Sequence, residues 1–191
     1  ATKLVIWALF ALGFDILLGF TGFLSFGHAA FFGTAAYTTG LMLKHVSADI
    51  IPALAVSVSV TIVLAIILGF LTLRRSGIYF SILPLAFGEM LYAAVLSIFS
   101  GITGGDNGLT MSAQPDLLGL RMTGLNVFYF TAVLVVIGFI VARQLRRSSF
   151  GLMLRAIKEN SMRLQYTGVH VWRCKMSAYI ISAMYAGVAG S

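Results

Sequence analysis

The stretch Ile50–Leu73, IIPALAVSVSVTIVLAIILGFLTL, runs for 24 uncharged residues between Asp49 and Arg74. As a helix rising about 1.5 Å per residue it reaches roughly 36 Å, enough to cross the hydrocarbon core of a bilayer. Outward from it, Ile78–Ser100 is a second candidate span, interrupted by Pro84, Gly88 and Glu89. Val127–Ala142 is a third, inside 21 uncharged positions between Arg121 and Arg143, and a fourth begins near Met176. Towards the N-terminus, Leu4–Phe20 and Phe26–Leu43 read as two more. The alternation of a transmembrane barrel is absent, and otherwise only helices satisfy their own backbone in lipid. The expected fold is therefore all-α: a polytopic transmembrane helical bundle of about six spans, forming a single membrane domain over residues 1–191.

Composition agrees. Of 191 residues 59% are hydrophobic and 10% charged, against roughly 25% charged in an average soluble domain. That excludes an ordinary soluble enzyme, a nucleic-acid module and a disordered chain. The net charge of +7 is confined to one place. Residues 143–175 hold Arg143, Arg146, Arg147, Arg155, Lys158, Arg163, Arg173 and Lys175 against a single acid, Glu159, which accounts for all of it. Such a cluster between apolar segments marks a cytoplasmic loop. No aromatic or motif pattern accompanies it, so nucleic acid is not an expected partner. Two spans earlier, Arg74-Arg75 falls on the same side, which places Lys44–Asp49 and Gly101–Asn126 outside. The chain opens at Ala1, and sixteen residues follow Lys175 where a span needs about 20. It is expected to be a fragment truncated at both ends. Leu4–Leu18 is not read as a signal peptide, because it carries Asp15 and no cleavage site follows promptly.

Ionisable groups inside spans are costly and therefore functional candidates. Glu89 lies one turn after Pro84, which removes a helix hydrogen bond and kinks its span. A carboxylate there either reaches freed backbone groups or a polar route, or holds the bundle together as a protonated or paired group. Asp15 is expected to snorkel towards the Gly19–Ser25 turn. That turn is glycine-rich, and Ser25 is placed to cap a helix entering at Phe26. It reads either as a tight turn at the membrane face or as a break at membrane depth, which persists only where protein buries it. His28 is the one titratable group between Asp15 and Lys44. His45 and His170 fall on different membrane faces, so His28 is expected to hydrogen-bond a neighbouring helix and no metal is expected. Small residues at Gly27, Ala30, Thr34, Ala35 and Thr38 suggest close helix packing. The loop Thr103-Gly104-Gly105-Asp106-Asn107-Gly108 is either an external turn or a place where backbone amides approach a substrate carboxylate, with Asn107 the candidate contact. Ser25, His28, Glu89 and Asn107 are thus the translocation-pathway candidates. No catalytic constellation, cofactor motif or ATP-binding P-loop is present in the sequence.

The basic loop has internal order. Phe150, Met153, Leu154 and Ile157 fall at i, i+3, i+4 and i+7, one apolar stripe. Arg155, Glu159 and Arg163 repeat every four residues on the polar side. Ser161 is placed to cap a second short helix and Gly168 to end it. Such an amphipathic helix lies on anionic lipid or meets a cytoplasmic partner.

Four blocks occur in one order: Gly19-Phe-Thr-Gly-Phe-Leu-Ser-Phe-Gly-His-Ala-Ala-Phe-Phe-Gly-Thr-Ala-Ala-Tyr37, Tyr79-Phe-Ser-Ile-Leu-Pro-Leu-Ala-Phe-Gly-Glu89, Thr103-Gly-Gly-Asp-Asn-Gly108 and Ser149-Phe-Gly-Leu-Met-Leu-Arg-Ala-Ile-Lys-Glu-Asn160. Together they resemble the permease subunits of branched-chain amino-acid ABC importers, specifically the M-type of the two paired permeases. The resemblance implies an H-type permease, two cytoplasmic ATPase subunits and a periplasmic substrate-binding protein as partners, in the bacterial inner membrane. It further implies that 143–175 carries a coupling helix docking in the ATPase, through Phe150, Gly151, Met153, Leu154, Arg155, Ile157, Glu159 and Gly168. The chain itself is then a transport subunit and not an enzyme, forming with the second permease the pathway for branched-chain or other small amino acids. The alternatives are an ion-coupled transporter or channel using Glu89 and Asp15, and a purely structural membrane subunit.

The topology is testable through Cys174, the single cysteine, which Arg173 and Lys175 flank. A membrane-impermeant thiol reagent is expected to label it in inside-out vesicles and not in intact cells; labelling from outside would invert the orientation.

Overall fold

A computed structural model describes residues 2–46, 49–74, 78–105, 108–109, 116–117, 120–121 and 124–191. Six long helices build it: α1 (Thr2–Thr21), α2 (His28–His45), α3 (Ile50–Thr72), α4 (Ile78–Ser97), α6 (Gly124–Arg147) and α8 (Val171–Gly190). The short α5 (Ser100–Thr103) follows α4, and α7 (Ser149–Tyr166) joins α6 to α8. A minimal antiparallel ribbon pairs β1 (Asp116–Leu117) with β2 (Leu120–Arg121). The chain is an all-helical membrane bundle, as expected.

Among the described residues four helices are long and apolar enough to cross a membrane: Thr2–Thr21, Ile50–Thr72, Tyr79–Ser97 and Leu125–Arg147. α2 and α8 have the length, 18 and 20 residues, but more polar sequences. Their position explains this. α8 packs against α1, α2, α3 and α7, and α2 against α3, α4 and α8, which buries His28, Thr39, Tyr179 and Ser182 against protein. α8 begins at Val171, earlier than Met176, so Arg173 and Lys175 lie within its first turns; Lys175 Nζ sits 4.5 Å over the Phe23 ring.

Small residues let α8 approach its neighbours, the packing mode that operates when lipid supplies no hydrophobic drive between helices. A Cβ at Gly13 of α1 would stand 2.6 Å from Tyr185 Cβ, and one at Gly187 of α8 3.0 Å from Thr61 Oγ1 on α3. Around these crossings Ile16, Leu17, Phe31, Phe80, Leu154 and Tyr179 are fully buried.

The link between α1 and α2 settles the two readings of that turn. α1 ends at Thr21, Gly22 takes a left-handed φ of 73°, and residues 23–25 form no regular structure before a turn at 26–27. The helix then starts at His28 with Gly27 as its cap and no side-chain cap bond, so Ser25 is not the cap. His28 Nε2 hydrogen-bonds Ser182 Oγ at 2.7 Å, and Ser182 Oγ donates to the Gly13 carbonyl. Gly13 lies eight residues before the end of α1, and Ser182 eleven after the start of α8, roughly 12–16 Å along each helix. α2 therefore begins deep inside the bundle, and residues 22–27 are a re-entrant break. Ser25 and Gly27 are buried, as non-helical backbone at membrane depth must be.

Gly27 closes the break against α4. A Cβ on it would meet Pro84 Cβ and the Pro84 carbonyl oxygen, both at 2.5 Å. Pro84, fully buried, sits within α4 where the ring removes a backbone donor.

Gly27→Ala is expected to lower the unfolding midpoint in detergent, with a loss of about 1–3 kcal/mol from overpacking. Gly33→Ala is the control: a Cβ there meets no heavy atom within 4 Å, and alanine raises helix propensity. Equal midpoints for the two variants would contradict the close Gly27–Pro84 contact.

Candidate functional site

Beyond Gly27 and Pro84 the two helices stay close for one turn, where a Cβ at Gly88 would lie 3.6 Å from Ala30 Cβ. They then part around a groove of about 570 Å³. Its inner limit is Phe26, Gly27 and Leu85; its far limit is Leu41 on α2 with Ile102 and Thr103 at α5. The groove is thus floored by the break and runs towards the end of the bundle opposite α7.

Glu89 enters this groove because Leu85, Gly88, Glu89, Tyr92 and Val95 share one face of α4 at three- and four-residue spacing. It is exposed and has no hydrogen-bond or ion-pair partner among the described residues. Among the described residues Glu89 pairs with no other helix of the bundle. Opposite stand Thr34, Tyr37 and Thr38 of α2. The threonine hydroxyls donate to the carbonyls of Ala30 and Thr34, each at 2.7 Å, so they are satisfied within their own helix. Glu89 and the hydroxyls of Tyr37 and Tyr92 remain the unpaired polar ends in an otherwise apolar groove.

Ser25 and His28 do not line the groove. They lie behind it at 0% and 2% exposure, in a polar cluster with Ser182 and Tyr179 of α8. Rings of Phe14, Phe31 and Tyr179 stand edge-on to His28 at 5.4, 5.8 and 6.3 Å. The Tyr179 hydroxyl faces Ser25 and Thr72 without a hydrogen bond of ordinary geometry to either. His28 thus makes the helix–helix hydrogen bond expected of it. Ser182 and Tyr179 carried no signal in the sequence, since a serine and a tyrosine in an apolar run show no partner. Asn107 lies outside the described residues; the neighbouring Thr103 is at the groove mouth, donating to the Val95 and Phe99 carbonyls at 2.9 Å each. Of the small residues on α2, Gly27 and Ala30 meet α4, while Ala35 is buried on the opposite side. Asp15 is exposed on α1, its carboxylate folded back along Gly19 towards the helix end.

The coupling candidates divide by face. Leu154 and Ile157, at 0% and 4% exposure, are packed into this chain's own core, with Phe150 partly buried beside them. Gly151 is buried against the Leu145 carbonyl, and Met153 is half-buried. Arg155, Glu159 and Gly168 are exposed. The apolar stripe therefore anchors α7 to the membrane helices. Two bases fasten it further, filling orphan carbonyls at helix ends: Arg155 Nη2 donates to Arg146 O at 2.8 Å and Lys158 Nζ to Gly19 O at 3.1 Å. Ser148 caps α7 by accepting from Gly151 N–H. Asn160 leaves helical geometry at φ −157°, ψ 96° and its Oδ1 accepts from Arg163 N–H at 3.0 Å. The second short helix is therefore capped by Asn160 and not by Ser161, whose neighbour offers the better-placed acceptor. Gly168, at φ 85°, ends it as expected. Exposed apolar side chains that sequence periodicity missed are Leu152 before the Asn160 kink and Met162 and Tyr166 after it, exposed by 68%, 61% and 85%.

Two curated relatives match the whole chain at 29% identity over 215 aligned positions. Both carry the description high-affinity branched-chain amino acid transport system permease protein LivM, one from Salmonella typhimurium and one from Escherichia coli. The chain spans 50% of the length of each. No solved structure matches it. Residues 1–191 in full match the family described as branched-chain amino acid transport system / permease component, and the chain, a multi-pass helical membrane protein, belongs to that family.

Proposed function

We propose that this chain supplies membrane helices to the M-type permease of an ATP-driven importer for branched-chain amino acids, in a bacterial inner membrane. Its partners in that reading are an H-type permease, two ATPase subunits at the basic end, and a periplasmic binding protein at the other. The two LivM relatives support the substrate class. The observation that carries the mechanism is α7. It is too polar to span, is fixed to α1 and α6 by Lys158 and Arg155, and lies at the end where Arg74 and the 143–175 cluster gather.

An ATPase engaging the outer face of α7, around Leu152, Arg155, Glu159, Met162 and Tyr166, moves a helix already welded to the bundle. The Lys158–Gly19 bond leads from there to the break at 22–27, which floors the groove. Apolar contact supplies the affinity of such docking, and the charges set its register.

Leu152→Asp with Tyr166→Asp is expected to leave the membrane subunit folded and to abolish co-purification of the ATPase in detergent. Each fully buried apolar contact is worth roughly 1.5–3 kcal/mol, an upper bound at a rim. Ile157→Asp is expected instead to destabilise the membrane subunit itself, because Ile157 is 4% exposed. ATPase retained in full by the double variant would refute docking on this face. Leucine uptake without any ATPase would favour an ion-coupled transporter.

A further inference from the structure

Glu89 is a mid-span carboxylate without a partner among the described residues. It lies eleven residues after the start of α4 and eight before its end, roughly 12–17 Å from either. An ionised carboxylate facing lipid at that depth is costly. In its ionised form it calls for a cation from beyond the described residues.

The space around it is shaped for a small molecule. The groove, about 570 Å³, falls in the range of ligand sites, which join apolar walls to a few placed polar groups. It has a floor, one turn below Glu89, where Gly27 and Pro84 close α2 against α4. It is partly open, with Leu85, Glu89, Tyr92, Phe99 and Ile102 exposed along its length. The walls beside the carboxylate are Ala30, Gly33, Leu85 and Val95, small or aliphatic. The two unpaired donors, Tyr37 and Tyr92, stand across the groove and one turn above Glu89.

We propose that this groove is a transient binding site for a zwitterionic aliphatic amino acid, with the substrate ammonium on the Glu89 carboxylate. The aliphatic side chain lies on the apolar wall, and the substrate carboxylate accepts from the Tyr37 and Tyr92 hydroxyls. Charge-assisted hydrogen bonds to an ionised carboxylate are about twice as strong as neutral ones. The site thereby selects an amine-bearing substrate inside the membrane, independently of the binding protein. The proposal rests on the amino-acid importer reading above. That reading makes Glu89 a selectivity residue, with no need for it to carry protons.

The test uses the complete transporter in lipid nanodiscs, with a hydrophobic carbodiimide as the probe of Glu89. L-Leucine at millimolar concentration is expected to protect Glu89 from modification, while 4-methylpentanoate, which lacks only the amine, is not. In proteoliposomes Glu89→Gln is expected to keep all subunits associated and to lower leucine uptake about tenfold or more, with Glu89→Asp partly restoring it. Carbodiimide labelling indifferent to leucine would overturn the proposal, as would wild-type uptake by Glu89→Gln. Loss of the second permease from Glu89→Gln would also overturn it, assigning the carboxylate to a basic residue of that subunit. Absence of leucine uptake by the wild-type complex would instead strike the importer reading itself.

Discussion

Six residues of backbone that are not helix run inside this bundle, and the rest of the architecture answers to them. Lipid cannot hydrogen-bond non-helical peptide groups, and the inner residues of 22–27, Ser25 and Gly27, are buried in protein while Gly22 and Phe26 remain exposed. α8 lies on one side, with the Tyr179 hydroxyl facing Ser25. α4 lies on the other, where the Pro84 backbone lies against a residue that has no Cβ. The break also raises the start of α2 by about two turns relative to the end of α1, and so aligns His28 with Ser182 and Gly13. One constraint accounts for the small residues, the buried polar cluster and the polarity of α2 and α8.

The same break joins the two ends of the functional reading. Its first residues lie beside α7, with Lys158 on the Gly19 carbonyl and its methylenes against Gly22. Its last residues form the floor of the α2–α4 groove. In the proposed importer, a displacement of α7 would reach the floor through six residues of chain, without passing through a long helix. The segment is held by close packing and few regular backbone hydrogen bonds, which suits an element with two arrangements.

Much of this was legible in the sequence because charge and hydropathy act over whole helices. The spans, the common end of Arg74 and the 143–175 cluster, and the existence of α7 follow from such long-range patterns. What the sequence did not yield was direction. The periodicity of Phe150, Met153, Leu154 and Ile157 identifies an apolar face but not its cover, and Leu154 and Ile157 prove to be covered by the chain itself. Glu89 was visible as an ionisable residue in a span, whereas its lack of a partner among the described residues emerges only when α2 and α4 are placed. The cap of α2 was misjudged at Ser25 because serine is a good cap in water-exposed turns, and here the turn is buried.

The depth of the break is most directly tested at Ser25, whose replacement by cysteine is nearly isosteric. In a chain with Cys174→Ser, the account predicts that Ser25→Cys in sealed membranes resists an impermeant maleimide from both faces. Tyr166→Cys, on the exposed face of α7, should react within the same period from the basic side. Labelling of Ser25→Cys as fast as Tyr166→Cys would contradict the account, returning 22–27 to an ordinary turn at the membrane surface.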